Sequence, residues 1–299
     1  MFREDQIQHQ FGTKVLNYVK NKHRGGTNSE KGNTYENFFA VFQLAFLAPQ
    51  IIEFNDEIFL ASQILAFVDD LIIDRQQTEM PLKHFQLKNS TRVSWGQGLR
   101  SIADDFRKQY QLNLQINRQS DLSLVVSDPK LKSSLELSQP ADLKAFCQVQ
   151  FFPYAQTLAK VIQQHEPLQR AIKYLCAFEN PAPDKIECAA NVLLGAWVAS
   201  DKSNISAIEI LRKAQEASPS YIRTFSSQWR IDLDVKQILD SIDNFSYNLA
   251  KGFFHWQFGN GLEEGTLSYN CETERFKQFE ALIKREKPTS YEDLEVFLI

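Results

Sequence analysis

Two adjacent aspartates lie within an apolar stretch, and this feature constrains the fold of the chain most strongly. The stretch ILAFVDDLIID, residues 64–74, is rich in β-branched and aromatic residues and contains Asp69 and Asp70. Such a composition is typical of a buried strand. Because successive side chains of a strand point to opposite faces, one of the two aspartates faces inward. We therefore expect a strand that brings a carboxylate to the edge of a core, although an ordinary polar strand end would give the same pattern.

A second strand is predicted after a polar linker. The run HFQLKNS, residues 84–90, follows the linker RQQTEMPLK and places Gln86 and Lys88 two residues apart. Side chains at positions i and i+2 of a strand project from the same face. The amide of Gln86 and the ammonium of Lys88 are therefore expected side by side, one loop after the aspartate pair.

A largely buried helix is predicted before these strands. From Thr34, a candidate N-cap, the run YENFFAVFQLAFLA is apolar over most of its surface and meets no Gly or Pro before Pro49. Glu36 falls in the first turn, from which it could reach the same strand ends as a further carboxylate. The helix macrodipole alone also favours an acidic residue there, so both interpretations stand.

The order of the remaining elements predicts two domains. Up to about residue 130, helical and strand patterns alternate, as they do in α/β domains, and residues 95–110 form one of the helices. Beyond Pro140 the periodicity becomes helical, from ADLKAFCQVQ to VKQILDSIDNFSYNLAKGFF. The chain then closes with a hairpin at Asn260-Gly261 and two helices. We expect an α/β domain over residues 1–130 and a mainly helical domain over residues 131–299, which ends in a β-hairpin and helices.

Composition narrows the class of protein. The 299 residues are 43% hydrophobic, and their four cysteines are too dispersed to suggest a zinc site or a disulfide framework. No apolar run is long enough for a membrane span, and the amino terminus lacks a signal pattern. We therefore expect a cytoplasmic, globular protein that does not associate with membranes.

The charge distribution bears on nucleic-acid binding. A net charge of −4 argues against a dedicated nucleic-acid binder, because phosphate contacts need concentrated Lys and Arg. Two local clusters are nevertheless basic, one around residues 14–31 and one that begins at Arg92. Candidate DNA contacts in these clusters are Lys22, Arg24, Lys31 and Arg92. Solvated helix faces would explain the same charges.

Carboxylates, an amide oxygen and a lysine in this order suit one kind of chemistry. Hydrolysis of a phosphodiester by metal-activated water needs hard oxygen ligands for the metal and a nearby cation. Asp70 and Gln86 can supply the oxygens, Glu36 a further carboxylate and Lys88 the cation. Asp69 can take the place of Asp70, because the pattern does not settle which of the two faces the site. The sequence has no G-x-x-x-x-G-K-[ST] motif, so any ATP-driven step would need another chain.

The motif resembles that of the PD-(D/E)xK, or restriction-endonuclease-like, nucleases, in a variant where Gln replaces the acidic residue. In particular it is similar to the nuclease domain of bacterial phage-defence effectors, over roughly residues 24–128. The matching positions are Gly25-Gly26, Tyr35-Glu36, Asp69-Asp70-Leu71-Ile72-Ile73, Phe85-Gln86-Leu87-Lys88-Asn89-Ser90 and Trp95.

The resemblance implies a metal-dependent DNA nuclease with a restriction-endonuclease-like α/β domain. It implies catalytic roles for Glu36, Asp70, Gln86 and Lys88. Mg²⁺ or Mn²⁺ would be held by Asp70, Gln86 and the main-chain carbonyl of Leu87, with Asp69 as the alternative carboxylate. Because Gln86 is neutral, a single metal ion is expected.

The resemblance also implies a partner, since the relatives act in anti-phage defence with a helicase or other ATPase. The helical domain would then bind that partner or regulate access of DNA. One alternative is a non-catalytic DNA-binding adaptor with a degenerate nuclease fold, which the acidic pI favours. RNA cleavage at the same site is a third possibility.

Overall fold

A computed structural model describes residues 3–25, 30–77, 79–225 and 230–298, with the side chains of residues 23–32 left out of the description. The chain divides into two compact units. The first consists of Met1–Tyr174 and Leu193–Arg212, and the second of Leu175–Val192 and Lys213–Ile299. Among the described residues, no helix has both the length and the apolar character needed to cross a bilayer.

The described helices are α1 (Glu4–Phe11), α2 (Thr13–Gly25), α3 (Glu30–Glu53), α4 (Ile102–Gln115), α5 (Pro129–Leu137), α6 (Leu158–Gln164), α7 (Glu166–Leu175), α8 (Pro183–Val198), α9 (Ala207–Ala217), α10 (Leu233–Asp240), α11 (Glu274–Glu286) and α12 (Tyr291–Glu295). The strands are β1 (Phe59–Ala61), β2 (Leu71–Asp74), β3 (Leu82–Lys88), β4 (Ser120–Val126), β5 (Cys147–Phe151), β6 (Ile205–Ser206), β7 (Phe245–Ala250), β8 (Phe253–Phe258) and β9 (Glu263–Thr266).

A mixed six-stranded sheet organises the first unit, in the order β5-β4-β3-β2-β1-β6. Strands β1, β2 and β3 are antiparallel to one another, whereas β4 runs parallel to β3 and β5 parallel to β4. The α/β class expected for this part of the chain is confirmed.

Helices α3 and α4 cover opposite faces of this sheet. Adjacent residues of β3 show this, since they point to opposite sides. The ring of Phe85 packs against Phe39 of α3 at a centroid distance of 5.1 Å. His84 instead lies 3.5 Å from the amide nitrogen of Gln109 on α4. Strand β3 is thus enclosed between two helices.

The first unit is larger than the predicted α/β domain. We expected that domain to end at residue 130, but β5 and β6 are sheet strands, and the unit continues to Tyr174. The segment from residue 141 was predicted to be helical, yet only Ala141–Leu143 forms a short 3₁₀ helix before β5. The reason is visible in β5, where buried Cys147 and Val149 alternate with exposed Gln148, a period of two.

Helix α4 also begins later than predicted. Its first residue is Ile102, and the side chain of Ser101 caps it by accepting a hydrogen bond from the main-chain N–H of Asp104 at 3.1 Å. The residues before it cannot extend the helix, because Gly96 and Gly98 have positive φ angles of 68° and 80°.

The second unit contains the three-stranded sheet β7-β8-β9, on which α10, α11 and α12 pack. The predicted hairpin at Asn260-Gly261 is confirmed as the β8–β9 connection. We expected residues 235–254 to be one helix, but α10 ends at Asp240 and β7 follows. Along β7, Phe245, Tyr247 and Leu249 alternate toward the core of this unit, which is strand periodicity.

Candidate functional site

We had expected the aspartate pair to lie within a strand. It lies instead in an irregular segment just before β2. Side chains from other elements hold this segment in place. The side-chain oxygen of Gln109 accepts hydrogen bonds from the main-chain N–H groups of Phe67 at 2.9 Å and Val68 at 3.3 Å. The peptide groups that precede the aspartates are therefore fixed by α4.

His84 fixes the same segment from β3. Its Nδ1 lies 2.8 Å from the carbonyl oxygen of Val68, so Nδ1 carries the proton and donates it. The ring is fully buried, and burial lowers the pKa of His84 to about 4. The imidazole is thus neutral near pH 7 and serves as a fixed hydrogen-bond donor.

Asp70 is oriented by the neighbouring strand. The main-chain N–H of Leu87 donates to Oδ2 of Asp70 at 2.6 Å, and Nε2 of Gln86 donates to the same oxygen. Strand register explains this contact, because Leu71 pairs with Phe85 and the next step of that register sets Asp70 opposite Gln86. The juxtaposition of Asp70 and Gln86 that the sequence predicted is present.

Glu36 lies on α3 and is largely buried. Nε2 of Gln63 donates to its Oε2 at 3.0 Å. Burial, followed by the charge of Asp70, raises the pKa of Glu36 to about 7. The macrodipole acts mainly on residues in the first turn of a helix. Because α3 begins at Glu30 and not at Thr34, Glu36 lies beyond that turn. The carboxylate is therefore part of the Asp70 environment, and the helix end does not explain it.

Lys88, the last residue of β3, is half-buried at the strand's end. Its positive charge acts on two carboxyls, since it opposes the rise in pKa that burial causes at both Glu36 and Asp69. Glu36, Asp70 and Lys88 thus form one electrostatic group.

Lys22 was expected among the DNA contacts, but its ammonium is directed into this site. It donates to the carbonyl oxygen of Phe67, to Oε1 of Gln86 at 3.0 Å and to Oδ2 of Asp105 at 3.1 Å. An ammonium has three N–H donors, so these contacts use all of them. Burial acts to lower the pKa of Lys22, but the surrounding carboxylates, of which Asp69 has the largest effect, raise it overall.

Helix α4 contributes a polar stripe that the sequence interpretation missed. Asp105, Gln109 and Asn113 recur at every fourth residue and are all buried, with exposed fractions of 6%, 0% and 0%. Asp105 accepts from Lys22, Gln109 holds the segment before the aspartates, and Asn113 accepts from Gln109 at 2.9 Å. The signal that could have revealed it is this four-residue spacing on the apolar side of an amphipathic helix.

A cavity of about 200 Å³ opens beside the site, and Tyr18, Lys88 and Arg100 are among its lining residues. The hydroxyl of Tyr18 donates to Oδ2 of Asp105 at 3.0 Å. The guanidinium of Arg100 lies 5.3 Å from the centre of the Tyr18 ring, a cation–π contact. Three positively charged side chains, Lys22, Lys88 and Arg100, therefore line this cavity.

The remaining predicted DNA contacts lie elsewhere or cannot be placed. Arg92 is exposed in the irregular segment after β3. The side chains of Arg24 and Lys31 lie outside the described residues.

The suitability of the site for a metal ion depends on its oxygen donors. Within the described part of the chain, no group of three His, Cys, Asp or Glu side chains is placed to hold a metal. The expected donors include the amide of Gln86 and the carbonyl of Leu87, which are hard oxygens outside those four residue types. In addition, Oδ1 of Asp69 is buried without a hydrogen-bond partner among the described residues. Oε1 of Gln86 and Oδ1 of Asp69 both face the ammonium of Lys22. The carboxylates of Asp70 and Glu36 and the carbonyl of Leu87 are therefore the oxygens that fit a single hard cation next to Asp70.

Comparison with known proteins gives no relative. The chain matches no family model, no curated protein and no solved structure. The functional argument is therefore built on the geometry of the residues above.

Proposed function

We propose that this chain is a metal-dependent nuclease that hydrolyses phosphodiester bonds in DNA. The observation that carries the proposal is the convergence of Asp70, Gln86 and Lys88 at the ends of two paired strands, with Glu36 beside them. Carboxylates that repel one another favour a hard cation between them. A lysine at their edge suits a phosphate group.

In this proposal Asp70 and Glu36 hold Mg²⁺ or Mn²⁺, together with the carbonyl of Leu87. Bound there, the ion would supply a more acidic water and neutralise charge on the phosphate. Gln86 orients the Asp70 carboxylate through its amide. Lys88 lies where its charge can stabilise a phosphate oxygen as negative charge builds up.

The order of the elements supports a restriction-endonuclease-like fold for the first unit. An aromatic-rich helix, α3, precedes the aspartate pair, and the Gln-x-Lys strand β3 follows it. The segment that contains the buried Trp95 then leads into α4. This is the order of features that the resemblance implies.

Substrate and partners follow from the same proposal. The cavity flanked by Lys88 and Arg100 suits a phosphate of the DNA backbone. A helicase or other ATPase in an anti-phage defence system would supply the motor function, and the second unit would bind that partner or regulate access of DNA.

A second candidate function is a non-catalytic DNA-binding adaptor, and one observation favours it. Both functional groups of Gln86 are engaged by the protein itself, since its Nε2 donates to Asp70 and its Oε1 accepts from Lys22. In this arrangement Gln86 is not available as a metal ligand.

Mn²⁺ titration combined with plasmid cleavage tests the proposal. We would compare the wild type with Gln86→Glu and Gln86→Leu by calorimetry, and incubate each with plasmid DNA or with RNA of matched length. A nuclease should bind Mn²⁺ and cut DNA. Gln86→Glu should bind Mn²⁺ more tightly, because it adds a charged oxygen beside Asp70. Gln86→Leu loses the amide that orients Asp70 and should fail to cut at ordinary Mg²⁺ concentrations.

The outcomes separate the two candidates. Absence of Mn²⁺ binding and of cleavage in the wild type, together with retained DNA binding, would establish the adaptor. Cleavage of RNA but not DNA would keep the chemistry and change the substrate. Indistinguishable Mn²⁺ affinities for the three proteins would show that residue 86 has no influence on the metal position.

A further inference from the structure

Oxygen atoms surround the ammonium of Lys22 as they would surround a bound cation. Three of them accept its hydrogen bonds, namely the carbonyl of Phe67, Oε1 of Gln86 and Oδ2 of Asp105. A fourth, Oδ1 of Asp69, lies 3.8 Å from the nitrogen. Main-chain carbonyl, amide and carboxylate oxygens are the donor types that hard metal ions take from proteins.

The same place holds more buried carboxyl groups than Lys22 can pair with. Asp69 and Asp105 are 4% and 6% exposed, and the Oδ1 atom of each is buried without a hydrogen-bond partner among the described residues. Two buried carboxylates thus share one ammonium. A buried polar atom without a partner is rare in folded proteins and is favourable only where a further interaction compensates for it.

We propose that Lys22 occupies a cation site, so that its ammonium takes the place of a second metal ion beside the Asp70 position. This inference extends the proposed function, because it implies that the nuclease uses one metal ion and one protein cation. Lys22 acts here as a positioning residue, since it contacts Gln86 and Asp105 and has no N–H left for a substrate.

The position of Lys22 on α2 explains how the ammonium is held. Tyr18 lies one turn earlier on the same helix face and donates to Oδ2 of Asp105 at 3.0 Å, so α2 delivers two donors to that carboxylate. Leu16 and Val19 of the same helix pack into the apolar core beside β2. The ammonium is therefore held by a packed helix and not by a flexible surface chain.

Substitution of Lys22 should convert the position into a metal site. In Lys22→Ala the four oxygens lose their cation and gain space for another one. In Lys22→Met the terminal methyl group stands next to the former nitrogen position, so that the charge is removed but a metal ion is excluded. Lys20→Ala is the matched control, because Lys20 lies on the same helix and pairs with Glu4 at 2.5 Å, away from the site.

The experiment is Mn²⁺ titration by calorimetry, with thermal denaturation of each protein at increasing Mn²⁺. We expect Lys22→Ala to bind one more equivalent of Mn²⁺ than the wild type and to regain thermal stability as Mn²⁺ binds. Lys22→Met should bind no additional equivalent and regain less stability. Equal stoichiometry for Lys22→Ala and the wild type would overturn the inference.

The Mn²⁺ stoichiometry distinguishes failure of the Lys22 inference from failure of the proposed function. If the Asp70 position binds no metal, the wild type takes up no Mn²⁺ and Lys22→Ala still takes up one ion. If only the Lys22 inference fails, the wild type binds and cuts as proposed while Lys22→Ala gains nothing.

A measurement on the wild type covers the case in which Lys22→Ala does not fold. Reductive methylation followed by mass spectrometry should modify Lys20 and leave Lys22 unmodified, both without and with saturating Mn²⁺. Methylation of Lys22 on addition of Mn²⁺ would mean that the metal displaces the ammonium, which contradicts the inference. Methylation of Lys22 at the rate of Lys20 without metal would contradict it as well.

Discussion

The site has two halves that differ in how the protein balances their charge. The Lys22 half consists of Lys22, Asp69 and Asp105, and its ammonium is hydrogen-bonded inside the acidic group. The Glu36 half consists of Glu36, Asp70 and Lys88, and its lysine is half-buried at the end of β3. The ammonium of the first half is therefore hydrogen-bonded among its carboxylates. The hydrogen bonds described for the carboxylates of the second half come from Gln63, Gln86 and Leu87, and not from Lys88. The difference indicates where a metal ion and a phosphate would enter.

Gln86 joins the two halves, and this explains why an amide stands at that position. Its Nε2 donates to Asp70 in one half, and its Oε1 accepts from Lys22 in the other. A glutamate could accept from Lys22 but could not donate to Asp70, and it would add a like charge beside that carboxylate. The neutral residue thus suits a site in which one half already has a cation.

Substitution of one aspartate in each half gives the largest expected contrast. Asp70→Asn should lower DNA cleavage by about a hundredfold or more, because it removes a charged ligand from the reacting half. Asp105→Asn should retain activity within about tenfold, because among the described residues its carboxylate has hydrogen bonds only from Lys22 and Tyr18. A tenfold change corresponds to about 1.4 kcal/mol of barrier. Equal losses in a plasmid-cleavage assay would remove the distinction between the halves.

Lys88→Ala should lower the cleavage rate about a hundredfold while the fold stays intact, because a lysine at a strand's end contributes little to stability. Lys83→Ala is the control on the same strand. Its side chain lies on the opposite face and pairs with Asp121 at 3.7 Å. The measurement is the single-turnover rate together with the melting temperature. A Lys88→Ala protein that cuts at nearly the wild-type rate would contradict the proposed role.

Gln109→Leu tests how the segment before the aspartates is held. The substitution leaves the N–H groups of Phe67 and Val68 without their acceptor, which should cost about 1–3 kcal/mol of unfolding free energy for each buried group left unsatisfied. Gln111→Leu, on the exposed side of α4, should change stability by about 0.5 kcal/mol or less. Urea denaturation of both variants checks this, and equal effects would show that Gln109 does not hold the segment.

The smallest expected effect is on how the free energy of unfolding depends on pH, through Glu36. Burial, with the charge of Asp70 second, raises the pKa of Glu36 from 4.5 to about 7. Between these values the folded chain binds more protons than the unfolded chain, so the contribution of Glu36 to unfolding free energy falls as pH rises. Glu36→Gln should remove this fall. Melting temperatures of both proteins from pH 5 to pH 8 test it, and parallel profiles would show that Glu36 does not titrate in this range.

Several features of the site follow directly from local sequence. Gln86 and Lys88 lie on one strand face because of the two-residue period, and antiparallel pairing of β2 with β3 then brings Asp70 to Gln86. The helix before them was also predicted, although α3 begins four residues before Thr34. These are patterns of neighbouring residues, which a sequence displays without knowledge of tertiary contacts.

The Lys22 half was not predicted, because nothing in local sequence joins its members. Lys22 was predicted to contact DNA from a basic cluster, and no sequence pattern singled out Asp105. Only the packing of α2 against α4 places them 3.1 Å apart. The strands β5 and β7 were missed for a related reason. Their two-residue period extends over only five and six residues, within longer segments whose spacing fits a helix, so their sheet partners decide the outcome.

The long sequence separations within the Lys22 half have a consequence for how the protein acquires its site during synthesis. The hydrogen bond from Lys22 to Gln86 spans 64 residues, and those from Lys22 and Tyr18 to Asp105 span 83 and 87. Contacts of this range form late in folding, because the loop-closure entropy must be overcome before they contribute. While α4 is still inside the ribosome, Asp105 cannot pair with Lys22 and Gln109 cannot hold the segment before the aspartates. The site is assembled only after the whole of α4 has emerged.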